Sequence, residues 1–491
     1  MKNSINHTPA INGKTISLFI GLLLGSILIS FLIGTKGLVA GAVIVALFIG
    51  LPLLLKSLTD VEFGFYLLIW YSYFLFLIAR LLLPAKIPMG IGADVIEIIL
   101  LLGIFISEAP TRKTDWSNFA NPVTYLLLLI NAYYVLQVLN PNAVSLTAWI
   151  ASTRGIIFEL VSYFIVVKLL SRLEVIKKFT KWWLFLALLA ALYGIFQEIF
   201  GYQEFEWRDI YSNPQTIALI QNIGILRKFS FMSDVTTFGI LMAAGGVFCT
   251  VLALGPFPLK RKAILAISAL LMFISMSFSG TRTATAIIPI GLMFYTLMHI
   301  NNKNTLILLF LAVIGFGIVM FGPFYGGTIT RIRTTFQPST DASMNVREFN
   351  RKRIQPYIHT HPIGGGVNTT DGEGEALAPG HQLAGFATDS GYLKTALTTG
   401  WIGLILLMAL YFTVISIGVT NFYKARNPYL KSLYGAYIAL FFSLLIANYT
   451  QSAMVQKPTG LIVYSIFAIM PNLIKFDDEI PPEKNTSNQI G

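Results

Sequence analysis

Residues 16–33 read ISLFIGLLLGSILISFLI, eighteen consecutive positions without a charge. As an α-helix this run would rise about 27 Å, close to the roughly 30 Å hydrocarbon core of a bilayer. Lys2 and Lys14 precede it, and a second apolar run follows with no small-residue cleavage pattern between, so it reads as an uncleaved anchor. Comparable runs recur as far as Ile474. Of 491 residues, 55% are hydrophobic and only 12% charged, with a mean hydropathy of +0.70. A soluble globular chain carries about 25% charged residues. A soluble enzyme is thereby excluded, and the sequence predicts an all-α polytopic integral membrane protein. The single cysteine, Cys249, lies inside an apolar run, so no intramolecular disulfide can brace the loops.

Candidate spans centre near Leu24, Val45, Tyr71, Leu101, Leu129, Val161, Leu189, Ala243, Leu270, Ile290, Val313, Leu407, Leu440 and Ile466, which gives about 12–14 transmembrane helices. An even number returns both termini to one side. The short loops holding Lys168 to Lys181, Lys260-Arg261-Lys262 and Lys424 to Lys431 share that side, and short cytoplasmic loops retain basic residues. Both termini are therefore expected in the cytoplasm. Two connections exceed ordinary links and fall outside. The first, 201–233, carries Tyr202, Phe205, Trp207 and Tyr211, rings suited to headgroup depth. In the second, 324–388, Val346 to Tyr357 reads as a short basic helix, followed by the turn-rich Gly364-Gly365-Gly366 and a polar stretch from Asn368 to Gly380. The expected organisation is an N-terminal bundle (1–200), an outer interfacial loop (201–233), central helices (234–323), a large periplasmic loop before the last three spans (324–388), C-terminal helices (389–475) and a polar, disordered cytoplasmic tail (476–491).

The two sides use different basic residues. By this topology the inner side holds 15 Lys and 4 Arg, the outer 6 Lys and 10 Arg. The outer arginines are Arg80, Arg154, Arg208, Arg227, Arg282, Arg331, Arg333, Arg347, Arg351 and Arg353. A guanidinium grips phosphate oxygens in pairs and stays charged when partly desolvated. Arg80, Arg154 and Arg282 lie at or just inside apolar runs, where an ionisable group is costly and by default a functional candidate. The plainer alternative is that each reaches the outer headgroups or pairs with a carboxylate such as Asp94, Glu97 or Glu159. The ligand implied is an amphiphilic anion reached from the outer leaflet, and a lipid-linked diphosphate fits. No nucleic-acid module accompanies the pI near 9.5. Neither a nucleotide-phosphate loop nor a His-Glu-x-x-His zinc motif occurs.

Residues 361–370 read HPIGGGVNTT and residues 389–406 read DSGYLKTALTTGWIGLIL. This pattern resembles the bacterial O-antigen ligase and polymerase family over a region of about 225–420. His361, Pro362, Gly364 and Gly366 match the family's His-Pro-x-x-Gly-x-Gly stretch, with the glycines one position nearer the proline. Asp389, Ser390, Tyr392 and Leu393 stand where the family has a polar pair and Tyr-Leu, and Gly400 and Gly403 complete its Gly-x-x-Gly. Upstream, Arg227-Lys228-Phe229-Ser230-Phe231 with Phe238-Gly239, and Ser279-Gly280-Thr281-Arg282-Thr283, are similar to its arginine elements. The first half matches only as a run of apolar spans. Where ligases of the family carry His-Asn, with the histidine assigned to catalysis, this chain has Asp389-Ser390, a change that leans toward a polymerase.

The resemblance implies inverting, metal-independent transfer of a glycan from a polyprenyl diphosphate-linked donor to a glycan or glycolipid acceptor, periplasmic and at a bacterial inner membrane. An O-antigen or exopolysaccharide polymerase is favoured over a ligase acting on lipid A core or protein. A lipid-linked glycan transporter or a non-catalytic envelope assembly subunit is the competing class. Such a reaction needs a cationic clamp, assigned to Arg154, Arg227, Arg282 and Arg347, then Arg333 and Arg351, with His361, Gly364, Gly366 and Tyr392 beside the substrate. It also needs a base, for which Asp389 and His381 are candidates and Glu373 or Glu375 outsiders. Asp389 or Thr388 could instead cap the following helix, His381 could be an exposed loop histidine, and His359 and His361 structural. Asp371, Glu373 and Glu375 could hold calcium but read as a solvated turn, so no metal or cofactor is expected. Membrane lipid and a glycan chain-length regulator or flippase complete the expected partners, and nucleic acid is excluded.

Overall fold

The computed structural model describes residues 13–37, 41, 46–82, 89–108, 116–222, 225–301, 303–323, 333 and 342–478. Val45, Arg331 and the tail from 479 lie outside the described residues. The helices are α1 (Gly13–Lys36), α2 (Leu51–Thr59), α3 (Val61–Leu81), α4 (Gly90–Glu108), α5 (Pro122–Leu136), α6 (Leu146–Leu169), α7 (Leu173–Phe200), α8 (Glu204–Ser212), α9 (Pro214–Ile220), α10 (Val235–Ala253), α11 (Leu259–Ser279), α12 (Arg282–Met298), α13 (Lys303–Phe321), α14 (Ala342–Thr360), α15 (Asp371–Leu377), α16 (Gly391–Lys424), α17 (Pro428–Ala447) and α18 (Thr459–Asn472). A two-residue antiparallel hairpin, Gln221–Asn222 against Ile225–Leu226, accompanies them.

Among the described residues ten helices are long and apolar enough to cross a membrane, with shorter apolar stretches at Leu23–Thr35, Phe48–Thr59 and Arg282–Met298. The protein is all-α and polytopic. Every span centre read from the sequence falls in a helix except Val45, which is not described. The shortness of α12 has a local cause: it opens on Arg282 and ends at His299, so its 17 residues rise only about 26 Å.

The bundle is built around α10, buried along 89% of its apolar stretch and packed against α11, α12 and α17. Small residues allow this approach, as in other membrane helix interfaces. A Cβ at Gly246 would stand 2.3 Å from the Phe273 ring. Polar N-caps set several starts: Asn121, Ser145 and Asp234 each accept an N–H from the first turn they precede.

Polar contacts gather at the two ends of the bundle. At one, Lys168 pairs with Glu108, Lys178 with Glu62, and Asp477 accepts the backbone N–H groups of Arg426 and Asn427. At the other lie the segments read as outer. There the 201–233 connection forms a small core of its own, in which Tyr202 stacks on Phe229 at 4.9 Å and meets Trp207 edge-on at 5.4 Å. Tyr202 is buried and Tyr211 exposed, so the aromatic set divides between this core and the surface. Buried Glu206 anchors the segment by accepting from Gln197 Nε2 (2.6 Å), Tyr193 Oη (3.0 Å) and the Gln203 N–H (2.7 Å). Arg80, an intramembrane candidate by sequence, pairs with Asp209 at 2.9 Å and donates to Met232 and Ser233 carbonyls, tying α3 to this segment. The basic helix expected at Val346 to Tyr357 is α14, longer at both ends.

Candidate active site

Helix α16 is broken near its start. Gly400 adopts φ +68°, a left-handed conformation that costs glycine little. A break in a helix strands the carbonyls and amides that would have bonded across it. Here the Gly365 and Gly366 N–H groups donate to Leu397 and Thr398 carbonyls, both at 2.8 Å, and the Trp401 N–H donates to the Pro362 carbonyl at 2.8 Å. Tyr133 Oη satisfies the Thr399 carbonyl at 2.8 Å. The HPIGGG segment therefore supplies the hydrogen bonds the helix lost. No side chain fits the crossing: a Cβ on Gly400 would lie 2.0 Å from the Pro362 carbonyl oxygen, and one on Gly364 2.5 Å from the Gly400 nitrogen. The two glycine elements of the sequence are the two sides of one backbone junction.

The connection between α5 and α6 holds the far side of that segment. Gln137 Nε2 donates to the Ile363 carbonyl (3.2 Å), Asn140 Nδ2 to those of Ile363 and Gly364 (3.2 and 3.1 Å), and Asn142 Nδ2 to that of Gly364 (3.0 Å). Sequence reading missed these amides, whose only signal is a polar cluster around Pro141 at a span end. His381 belongs to the same brace. Its Nδ1 accepts the Leu383 N–H at 3.0 Å, which leaves Nε2 as the donor to the Asn142 carbonyl at 3.2 Å. It is only 8% exposed, so it is not an exposed loop histidine, and burial holds its pKa below the ordinary value. His361 stacks flat on Tyr357 at 3.9 Å, with Nδ1 within 2.9 Å of Thr360 Oγ1.

Asp389, partly buried, stands immediately before the start of α16. The N-cap is Ser390, whose Oγ accepts the Leu393 N–H, and neither Asp389 nor Thr388 takes that position. Thr388 is held instead by Asp371, through its N–H and its Oγ1, both at 2.6 Å. Lys394 Nζ lies 3.4 Å from Asp371 and 3.3 Å from Glu373, so the acidic stretch pairs with Lys394 and fixes the residue before Asp389. Among the described residues no group of three or more His, Cys, Asp or Glu is placed to hold a metal ion.

The start of α16 rests on the end of α17. The Gly391 N–H and Ser390 Oγ both donate to the Asn448 carbonyl (3.0 and 3.3 Å), and Tyr392 Oη donates to that of Leu445 (2.9 Å). The next residue, Tyr449, takes Arg351: the guanidinium lies 4.4 Å over its ring, with Nη1 2.8 Å from Oη and Nη2 3.2 Å from the carbonyl. Thr450 Oγ1 is 2.7 Å from Thr283 Oγ1, beside Arg282 at the N-terminus of α12. On the other side of Arg282, Thr281 Oγ1 accepts from Arg227 Nη2 (3.2 Å), while Arg227 also donates to the Ser279 and Leu219 carbonyls. The turn Asn448-Tyr449-Thr450 thus holds Arg351 directly and bonds the residues that adjoin Asp389 and Arg282, with Arg227 bonded to Thr281 on the far side of Arg282. A cavity of about 410 Å3 opens beside it between α5, α6, α16 and α18.

Other arginines named from sequence lie elsewhere. Arg154 is bound to Asp94, a pairing the sequence allowed for, and Arg333 donates to the Gly322 carbonyl. Arg347 is in α14 but its side chain lies outside the described residues. No curated protein matches the chain. Residues 267–408 match the family model described as O-antigen ligase. That stretch runs from within α11 through Arg282, Arg351, Asp389 and the Gly400 junction, so this part of the chain is similar to the O-antigen ligase family.

Proposed function

We propose that this protein, at the outer face of a bacterial inner membrane, transfers a glycan from a polyprenyl diphosphate carrier to a sugar hydroxyl, extending a lipid-linked polymer. The match of residues 267–408 to the O-antigen ligase family model supports glycan transfer of the ligase or polymerase type. One observation supports the finer reading: the Asn448–Thr450 turn binds Arg351 and the residues next to Asp389 and Arg282. In the transfer, the acceptor oxygen attacks the anomeric carbon opposite the leaving group. A new C–O bond forms with inversion as the bond to the diphosphate breaks, and the electron pair departs with the diphosphate. Guanidinium forks stabilise that developing charge, and Asp389 takes the acceptor proton. The arginines supply the positive charge, so the scheme routes no step through a metal. Asp389 in place of the ligase histidine supports polymerisation.

The test uses the full chain in lipid nanodiscs, supplied with a lipid-linked repeat unit in the presence of chelator. A ladder of product lengths is expected. A ladder abolished by chelator would require a metal, transfer only to a non-carrier acceptor would decide for a ligase, and no transfer under either condition would refute the reading.

A further inference from the structure

We infer that the cavity between α5, α6, α16 and α18 is a saccharide subsite for a neutral or amino sugar, and that during transfer it holds the acceptor glycan; only this last role rests on the proposed reaction. The cavity opens beside Asn448 and Gly391, next to Asp389, and reaches into the bundle to Asn131, Tyr134, Glu159 and Tyr464. Its volume, about 410 Å3, falls within the range of small-ligand sites, about 300–1,000 Å3.

Two features of the lining call for a hydroxyl-bearing ligand. Asn131 is 4% exposed; its Nδ2 is spent on the Leu127 carbonyl at 2.9 Å, and its Oδ1 has no hydrogen-bond partner among the described residues. A buried acceptor in that condition asks for a donor, which an isoprenyl chain does not carry and a sugar hydroxyl does. Glu159, on a membrane-spanning helix, lines the cavity together with Tyr464, Tyr134 and Tyr411. A carboxyl, an amide oxygen and phenols offer hydroxyls several partners, and the tyrosine rings offer faces to sugar C–H groups.

Charge separates this cavity from the arginine cluster. Its ionisable lining residues other than tyrosine are Glu159, Glu373 and Lys394, and Lys394 is already paired with Asp371 and Glu373. Among the described residues no arginine lines it. A diphosphate is disfavoured here, and Arg282 and Arg351 are not among the described residues of the lining, so the two halves of a transfer reaction have separate places.

The test takes the full chain in nanodiscs, with N-acetylglucosamine, galactose and glucosamine as probes followed by saturation-transfer NMR. At least one sugar should bind the parent, and Glu159→Gln and Asn131→Leu should weaken it tenfold or more with thermal unfolding unchanged. In the transfer assay the same variants should raise the acceptor KM at least tenfold and leave the donor KM alone. In a Cys249→Ser background, a Ser152→Cys thiol in the lining should be protected from maleimide by sugar and left open by undecaprenyl diphosphate. Absence of sugar binding to the parent, binding indifferent to both variants, or protection by the lipid alone would overturn the inference. Active transfer with indifferent variants sinks the subsite and spares the proposed function. Variant-sensitive sugar binding without any transfer does the reverse.

Discussion

The Gly400 junction and the Asn448–Thr450 turn lie at the two ends of the same ten-residue piece of α16, yet they differ in what they leave available. At the junction the freed backbone groups of the break meet partners: three backbone bonds of 2.8 Å cross between HPIGGG and the broken helix, and amide side chains cover the remaining carbonyls. At the turn, the guanidinium of Arg351 is held by Tyr449, and the residues adjoining Asp389 and Arg282 bond to the same three-residue stretch. The glycines of the junction were a motif in the sequence, and the turn was not. One is architecture that aims the helix; the other is chemistry that the helix carries.

The largest expected effect breaks the architecture. Gly400→Ala places a Cβ 2.0 Å from a backbone oxygen at φ +68°. Left-handed strain costs about 1–2 kcal/mol and each lost hydrogen bond about 1 kcal/mol, so the junction should lose on the order of 4 kcal/mol. Thermal unfolding in nanodiscs should show it, and transfer should vanish with the fold. Gly372→Ala, where a Cβ meets nothing within 4 Å, is the control and should leave unfolding unchanged.

Next comes the chemistry. Asp389→Asn should lower transfer by about a hundredfold or more, the range of a lost general base, with unfolding unchanged because Ser390 holds the cap. Full activity in this variant would remove Asp389 from the reaction.

These two regions also show what the sequence could and could not say. The spans were legible because membrane insertion demands long uncharged runs, which composition displays directly. Gly364, Gly366 and Gly400 were legible as a pattern, since glycine at a crossing has no substitute, but their partnership was not, because it links backbone atoms across thirty-odd residues. Gln137, Asn140 and Asn142 were invisible: an amide that holds a distant carbonyl looks in sequence like any polar loop residue. Arg282 and Arg351 were found by side-of-membrane bookkeeping, which could not rank them above Arg154. Asn448, Tyr449 and Thr450, which do the ranking, carry no charge and no motif.

That ranking is the third comparison. Arg282→Lys and Arg351→Lys should each reduce transfer about ten- to hundredfold, the loss of one charge-assisted contact of about 1.5–3 kcal/mol. Arg154→Lys should stay within about fivefold, since its exposed pair with Asp94 is worth at most about 1 kcal/mol and lysine can keep it. If Arg154→Lys falls as far as the other two, the clamp extends onto α6 and the turn is not its centre.

The smallest effect concerns His381, which the sequence offered as a base and the structure places in the brace. With both ring nitrogens bonded to backbone, the folded protein holds it neutral, and burial keeps its pKa below the value near 6.5 expected in the unfolded chain. The unfolded state therefore binds the proton more readily, and stability falls as pH drops. The contribution is fully present above about pH 6.5 and is lost below it, at up to about 1.4 kcal/mol per pH unit, until the folded pKa is reached. Unfolding measured from pH 8 to pH 5 should decline more steeply in the parent than in His381→Gln, which cannot take up that proton. The same variant separates the two roles. As a brace, glutamine can still donate to the Asn142 carbonyl while losing the contact from the Leu383 N–H, so transfer at pH 8 should fall only in proportion to the protein that unfolds. A hundredfold loss at pH 8 in fully folded variant would return His381 to the reaction and move the chemistry from the turn to the junction.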